Sequence, residues 1–61
     1  MTRARVTGAE LKTWREAMGW TQAKLAKRLR VRVMTISEWE RAAEIPKHRV
    51  PAIVKLIRRV L

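Results

Sequence analysis

Apolar residues recur along the chain at the three- and four-residue spacing of helices, and capping residues divide the run into segments. Thr7 stands where it can cap a first helix, with Glu10 three residues on as the other half of a capping box. Leu11, Trp14 and Met18 then follow at i, i+3 and i+7, and Gly19 ends the segment. Thr21 heads a second helix, predicted over about 21–29, with Leu25, Ala26 and Leu29 on one face and Lys24, Lys27 and Arg28 elsewhere. After Arg30-Val31-Arg32 a third segment, about 33–42, buries Ile36, Trp39 and the stem of Glu40 and leaves Val33, Met34, Ser37, Glu38 and Arg41 outside. Ile45-Pro46 interrupts, and a fourth helix over about 47–60 accommodates Pro51 within its first turn, where a missing N–H does no harm. The expected fold class is all-α, a compact arrangement of four short helices, or five.

The fourth helix carries two apolar stripes. Val50, Ile53, Val54, Ile57 and Leu61 form one, and Ala52, Leu56 and Val60 form a second at i, i+4 and i+8. A chain of 61 residues buries only about 60% of its unfolded surface. It is not expected to cover both stripes, so Ala52, Leu56 and Val60 are expected to meet a second copy in a C2 homodimer. The alternative is a frayed, partly exposed C-terminus. Arg58 and Arg59 suit the negative end of the helix dipole without further role. Residues 1–6, with Arg3 and Arg5, are expected to be a flexible basic arm ahead of a single domain over 7–61.

Charge changes the picture most. Fifteen Lys and Arg stand against five Glu and no Asp, a net charge of +10 that repels itself unless a polyanion answers it. Nucleic acid is the first candidate and an acidic membrane surface the second. Zero Cys removes disulfides, thiol catalysis and zinc fingers, and the single His48 makes no metal cluster, so no metal and no cofactor are expected. The longest apolar run, Val50 to Val54, is far short of a membrane span, and a cytoplasmic protein is expected. The hydroxyls, Glu residues and lone His have no spacing that recommends a catalytic site, so an enzyme is not expected.

Two short helices joined by a three- or four-residue turn and flanked by basic residues describe a helix-turn-helix, in which the second helix enters a major groove about 12 Å wide. The segment from Thr21 to Glu40 resembles the lambda-repressor/Cro-type (XRE) helix-turn-helix family at its diagnostic places. These are Gln22 opening helix 2, Leu25 and Ala26 within it, Leu29 and Val31 around the turn, and Ile36 in helix 3 followed by Trp39-Glu40 at its end. With Leu11-Lys-Thr-Trp-Arg15 and Met18-Gly-Trp20 in front, the likeness covers about positions 9 to 61. A larger residue than Ala26 would hold the two helices apart. The chain departs from the family at Arg30, where Gly is usual in the turn, at Arg32, where Ser or Thr usually caps helix 3, and at Ala42-Ala43, where Gly usually closes it.

The resemblance implies a sequence-specific reader of double-stranded DNA: a homodimeric repressor acting by occlusion and controlled by its own concentration, of the kind found in phages and mobile elements. It implies that Gln22 donates to a phosphate, that Lys47, His48 and Arg49 form a second phosphate clamp, and that Arg15 pairs with Glu40. The plain alternatives are a helix-start residue and a solvated basic turn. Lys24, Lys27, Arg28, Arg30 and Arg32 add a cationic cluster within nine residues, and Thr35 bonds a phosphate or its neighbour's backbone. For base readout, Val33 and Met34 are expected on thymine methyls, Ser37 on any base edge and Glu38 on a cytosine amino group, with Arg32 and Arg41 on guanine or phosphate. Val33 and Met34 would otherwise be satellite core. Arg3 and Arg5 would enter an adjacent minor groove. The tryptophans are expected in the core rather than as base-stacking platforms. Three rivals share parts of the pattern: an antitoxin whose C-terminal helix binds a toxin, a basic RNA-binding protein, and a cationic membrane peptide, which the caps and Gly19 oppose. No small-molecule ligand and no membrane partner are expected.

Overall fold

A computed structural model describes residues 5–60. Four α-helices follow one another: α1 Gly8–Ala17, α2 Gln22–Leu29, α3 Val33–Arg41 and α4 Val50–Val60, with a 3₁₀ turn, Lys47–Arg49, leading into the last. No strand occurs among the described residues.

The helix ends follow from local chemistry. At the start of α1 the Thr7 hydroxyl accepts from the Glu10 N–H at 3.0 Å while the Glu10 carboxylate accepts from the Thr7 N–H at 2.9 Å, a complete capping box. Thr21 caps α2 by accepting from the Lys24 N–H at 3.1 Å. The closures of α1 and α2 are the same motif built twice. Gly19 donates to the Glu16 carbonyl and Trp20 to that of Arg15; Arg30 donates to the Lys27 carbonyl and Val31 to that of Ala26. Both motifs need a left-handed residue, and Gly19 (φ 72°) meets that need freely whereas Arg30 (φ 59°) meets it against its Cβ. Arg30→Gly should therefore raise the unfolding free energy by about 1 kcal/mol, read from urea denaturation; an unchanged or lower value would mean that the Arg30 side chain stabilises the fold by as much as its backbone costs. Helix α3 starts at Arg32 with no side-chain cap, so packing rather than capping holds its first turn.

The fourth helix begins later than its periodicity suggests. Pro51 has no N–H to offer the carbonyl four residues back, so the Lys47 carbonyl is taken by the Val50 N–H instead, and Lys47–Arg49 wind as a 3₁₀ turn.

All four α-helices contribute to the core. Leu11, Leu25, Ile36, Ile45 and Ile53 are its innermost side chains, and α3 packs against both α1 and α2. Ala26 of α2 is buried. Val6 is buried as well, and its carbonyl accepts from the Ile45 N–H at 2.8 Å. Val6, expected in the basic arm, thus packs with the core, because an apolar residue there gains more by burial than it loses in chain freedom. Arg3 lies outside the described residues.

The second stripe of α4 is also less idle than expected. Leu56 and Val60 pack in part against the core of their own chain, and among the described residues the exposed large hydrophobics are Val33 and Met34. Leu61 lies outside the described residues. The domain reaches this economy because Leu29 and Val31, around the α2–α3 turn, and Trp14 and Met18 of α1 join the same cluster.

Candidate nucleic-acid interface

A buried polar network ties the helices whose relative angle decides how α3 is presented. The Arg15 Nε donates to Glu40 Oε2 at 2.6 Å and its Nη2 to Glu40 Oε1 at 3.1 Å, a two-pronged pair between side chains only 11% and 4% exposed. Arg15 Nη1 donates to the Trp20 carbonyl at 2.8 Å, and Gln22 Nε2 donates to Glu40 Oε1 at 3.1 Å. One carboxylate therefore locks α1, the end of α3 and the start of α2 together. Burial pushes the Glu40 carboxyl up, but hydrogen bonds from Arg15 and Gln22 and the attraction of Arg15 and Lys12 outweigh it and hold the group below the ordinary glutamate value. The hydrogen bond with Glu40 raises the Arg15 guanidinium further above its ordinary value, against the opposing effect of burial. Gln22 is thus half-buried and oriented, with its second amide hydrogen still available to an acceptor outside.

On α3, Val33, Met34, Ser37, Glu38 and Arg41 fall within an arc of roughly 140°, opposite Ile36 and Trp39, which are buried. Val33 is 46% and Met34 72% exposed, so neither is satellite core. Glu38 is exposed and Ser37 half-exposed. Arg41 folds back, its Nε donating to the Ser37 carbonyl at 3.2 Å, which leaves only its terminal nitrogens for an outside partner. Thr35, half-exposed, lies on the flank of this arc.

The cations divide among several surfaces. Lys24 and Arg28 stand over the Trp20 ring, 5.2 and 5.3 Å from its centroid, and Lys27 shares their exposed side of α2. Arg32 is exposed at the head of α3, and Lys47, His48 and Arg49 are exposed in the 3₁₀ turn, with Arg49 5.9 Å over Trp39. Arg30 does not join Gln22: it sits at the far end of α2, in a groove against α4. Arg5 pairs with Glu44 at 3.1 Å, both well exposed, so its guanidinium rests beside the turn after α3. Trp20 and Trp39 are buried, and Trp14 packs edge-on against Trp20 with centroids 5.4 Å apart, as core residues do.

A profile of the helix-turn-helix family matches residues 11–59, from Leu11 of α1 through most of α4. The chain belongs to the lambda-repressor/Cro-type (XRE) helix-turn-helix family. No curated protein and no solved structure gives a significant match. As an XRE-type protein it is a DNA-binding transcription regulator, and the family is a regulatory one, not usually enzymatic. No helix among the described residues is long and apolar enough to cross a membrane, and no three potential ligand side chains gather there to hold a metal.

Two residues matter to this XRE domain in ways that the sequence does not signal. Gly8 opens α1 against the end of α3, where a Cβ would run into the carbonyl oxygens of Trp39 and Ala42. Its need for a bare Cα exists only after the chain has folded. Trp20 follows Gly19 as an ordinary core residue in sequence, yet its ring face also lies beneath two cations of α2.

Proposed function

We propose that this XRE-type regulator is a repressor that reads an inverted-repeat operator by inserting α3 into the major groove, two copies to a site. The observation that carries the reading is the exposure of Val33 and Met34. Large apolar side chains on water-facing helix positions cost solvation unless a partner covers them, and thymine methyls in the groove are such a partner. Ser37 and Glu38 beside them supply a hydroxyl for a base edge and an acceptor for a cytosine amino group. Gln22, Lys24, Lys27, Thr35, Lys47 and His48 hold phosphates, with Arg32, Arg41 and Arg49 flanking the helix.

Two copies reading half-sites a helical turn apart stand about 34 Å centre to centre. The longest extent of the Cα trace is 29 Å, so two domains fit side by side on one face of the duplex with only side chains meeting. In this reading pairing is set by the operator, because Lys55 and Arg59 beside the Ala52 and Leu56 stripe would face their own copies across a two-fold contact in free solution. Repression follows from occupancy: a pair covering about two turns of duplex excludes other proteins from the same groove.

Selection from a random duplex library at moderate salt tests this. An enriched inverted repeat bound by two protomers is expected, with Glu38→Ala relaxing the preference at one base pair by about 1–3 kcal/mol. Binding that salt abolishes without any enriched sequence would leave only a polyanion binder.

A further inference from the structure

We propose that the groove between the end of α2 and the C-terminal half of α4 docks an acidic amphipathic helix of a partner protein. This surface is separate from the outward arc of α3. The groove has a volume of about 200 Å³; Leu29, Ala52 and Leu56 line it as apolar residues, and Arg28, Arg30, Lys55 and Arg59 surround them. Among the described residues none of these four cations has an acidic partner. A groove whose half-buried Leu29 and Leu56 and exposed Ala52 lie inside a ring of like charges is costly left open, because each cation repels the others and part of the apolar floor stays in water.

The geometry specifies the occupant. Ala52 and Leu56 are one turn apart on α4, and Lys55 and Arg59 repeat the same step beside them, so apolar and cationic rows run parallel along one helix. The complement is a helix with an apolar stripe flanked by carboxylates one turn apart. A second copy of this chain cannot provide it. Of its five acidic residues, Glu10 serves the α1 capping box, Glu40 is held by Arg15 and Glu44 by Arg5, which leaves Glu16 and Glu38 on different helices. Two copies meeting here would instead face cation against cation. A duplex would satisfy the charges but leave Leu29 and Leu56 against phosphates, whereas an amphipathic helix answers both.

The test uses a labelled synthetic peptide of Leu and Glu, with Leu at i, i+3, i+4 and i+7 and Glu on the flanking rows, beside a scrambled peptide of the same composition and polyglutamate of the same length. Titration is followed by anisotropy and by backbone amide shifts of the whole chain. The expected result is peptide binding that shifts the amides of Leu29, Ala52 and Leu56, weakened about tenfold by Lys55→Glu with Arg59→Glu. Reversing Arg5 and Arg58, which are exposed but outside the groove and change net charge equally, should leave affinity within about threefold. Circular dichroism checks that each variant is folded, and Lys55→Gln with Arg59→Gln replaces the reversal if it is not. Equal weakening by both pairs, equal binding of polyglutamate, or a random duplex shifting the groove amides more strongly than the peptide would each overturn the proposal.

Discussion

Arg15→Met should lower the unfolding free energy by about 3–5 kcal/mol, which approaches the whole stability of a domain this small. The mutation strands the Glu40 carboxylate, 4% exposed, and removes the donor to the buried Trp20 carbonyl. Replacing both partners, Arg15→Met with Glu40→Leu, should restore part of the loss, since no uncompensated charge is then buried. The same pair imposes an acid limit. Because the folded Glu40 carboxyl lies below its ordinary value, the folded state binds fewer protons than the unfolded one. Its stabilisation is complete above the unfolded glutamate pKa of about 4.3 and is lost as pH falls through the lower folded value. Urea unfolding followed by tryptophan fluorescence between neutral and acid pH reads both effects. Glu40→Gln should flatten the acid limb of the stability curve, and an Arg15→Met variant as stable as the parent would show that the pair adds no net stability.

Gly8→Ala should destabilise by about 3 kcal/mol, the upper end for overpacking, because the added methyl meets backbone rather than a side chain that can swing away. The Trp39 and Ala42 carbonyls obstruct it and belong to the end of α3, so relief requires α1 to lift from that helix. DNA binding should fall with stability, since the Arg15–Glu40 bridge spans the same two helices. Gly19→Ala is the control. Nothing stands within 4 Å of its added Cβ, and only its positive φ resists, at a cost of about 1 kcal/mol. Equal losses in the two variants, measured by thermal unfolding, would mean that α1 yields at Gly8.

Most of the scaffold can be read from the chain because its signals are local. The capping box at Thr7 and Glu10, the stop at Gly19, the cap at Thr21 and the spacing of Leu25, Ala26 and Leu29 each act within one or two turns. The outward arc of α3 is legible for the same reason: burying Ile36 and Trp39 leaves Val33, Met34 and Glu38 on the other side of a helix. Family resemblance, rather than periodicity, pointed to the pairing of Arg15 with Glu40 and to the importance of Gln22.

The remainder depends on distances between residues far apart in sequence. Val6 looks like part of a basic arm until Ile45 is brought beside it, and Gly8 looks replaceable until the end of α3 covers it. Arg30 appears to join a single cationic cluster with Lys24 and Lys27, but the turn of α2 carries it to the opposite end of that helix and against α4. The amino-acid sequence by itself determined the helices, their caps, the excess of positive charge and the family. Only the tertiary structure decided which cations share a surface, how far each stripe of α4 is covered and where a methyl group cannot fit. Helix formation is set by neighbours in the chain, whereas those three properties are set by how the helices pack.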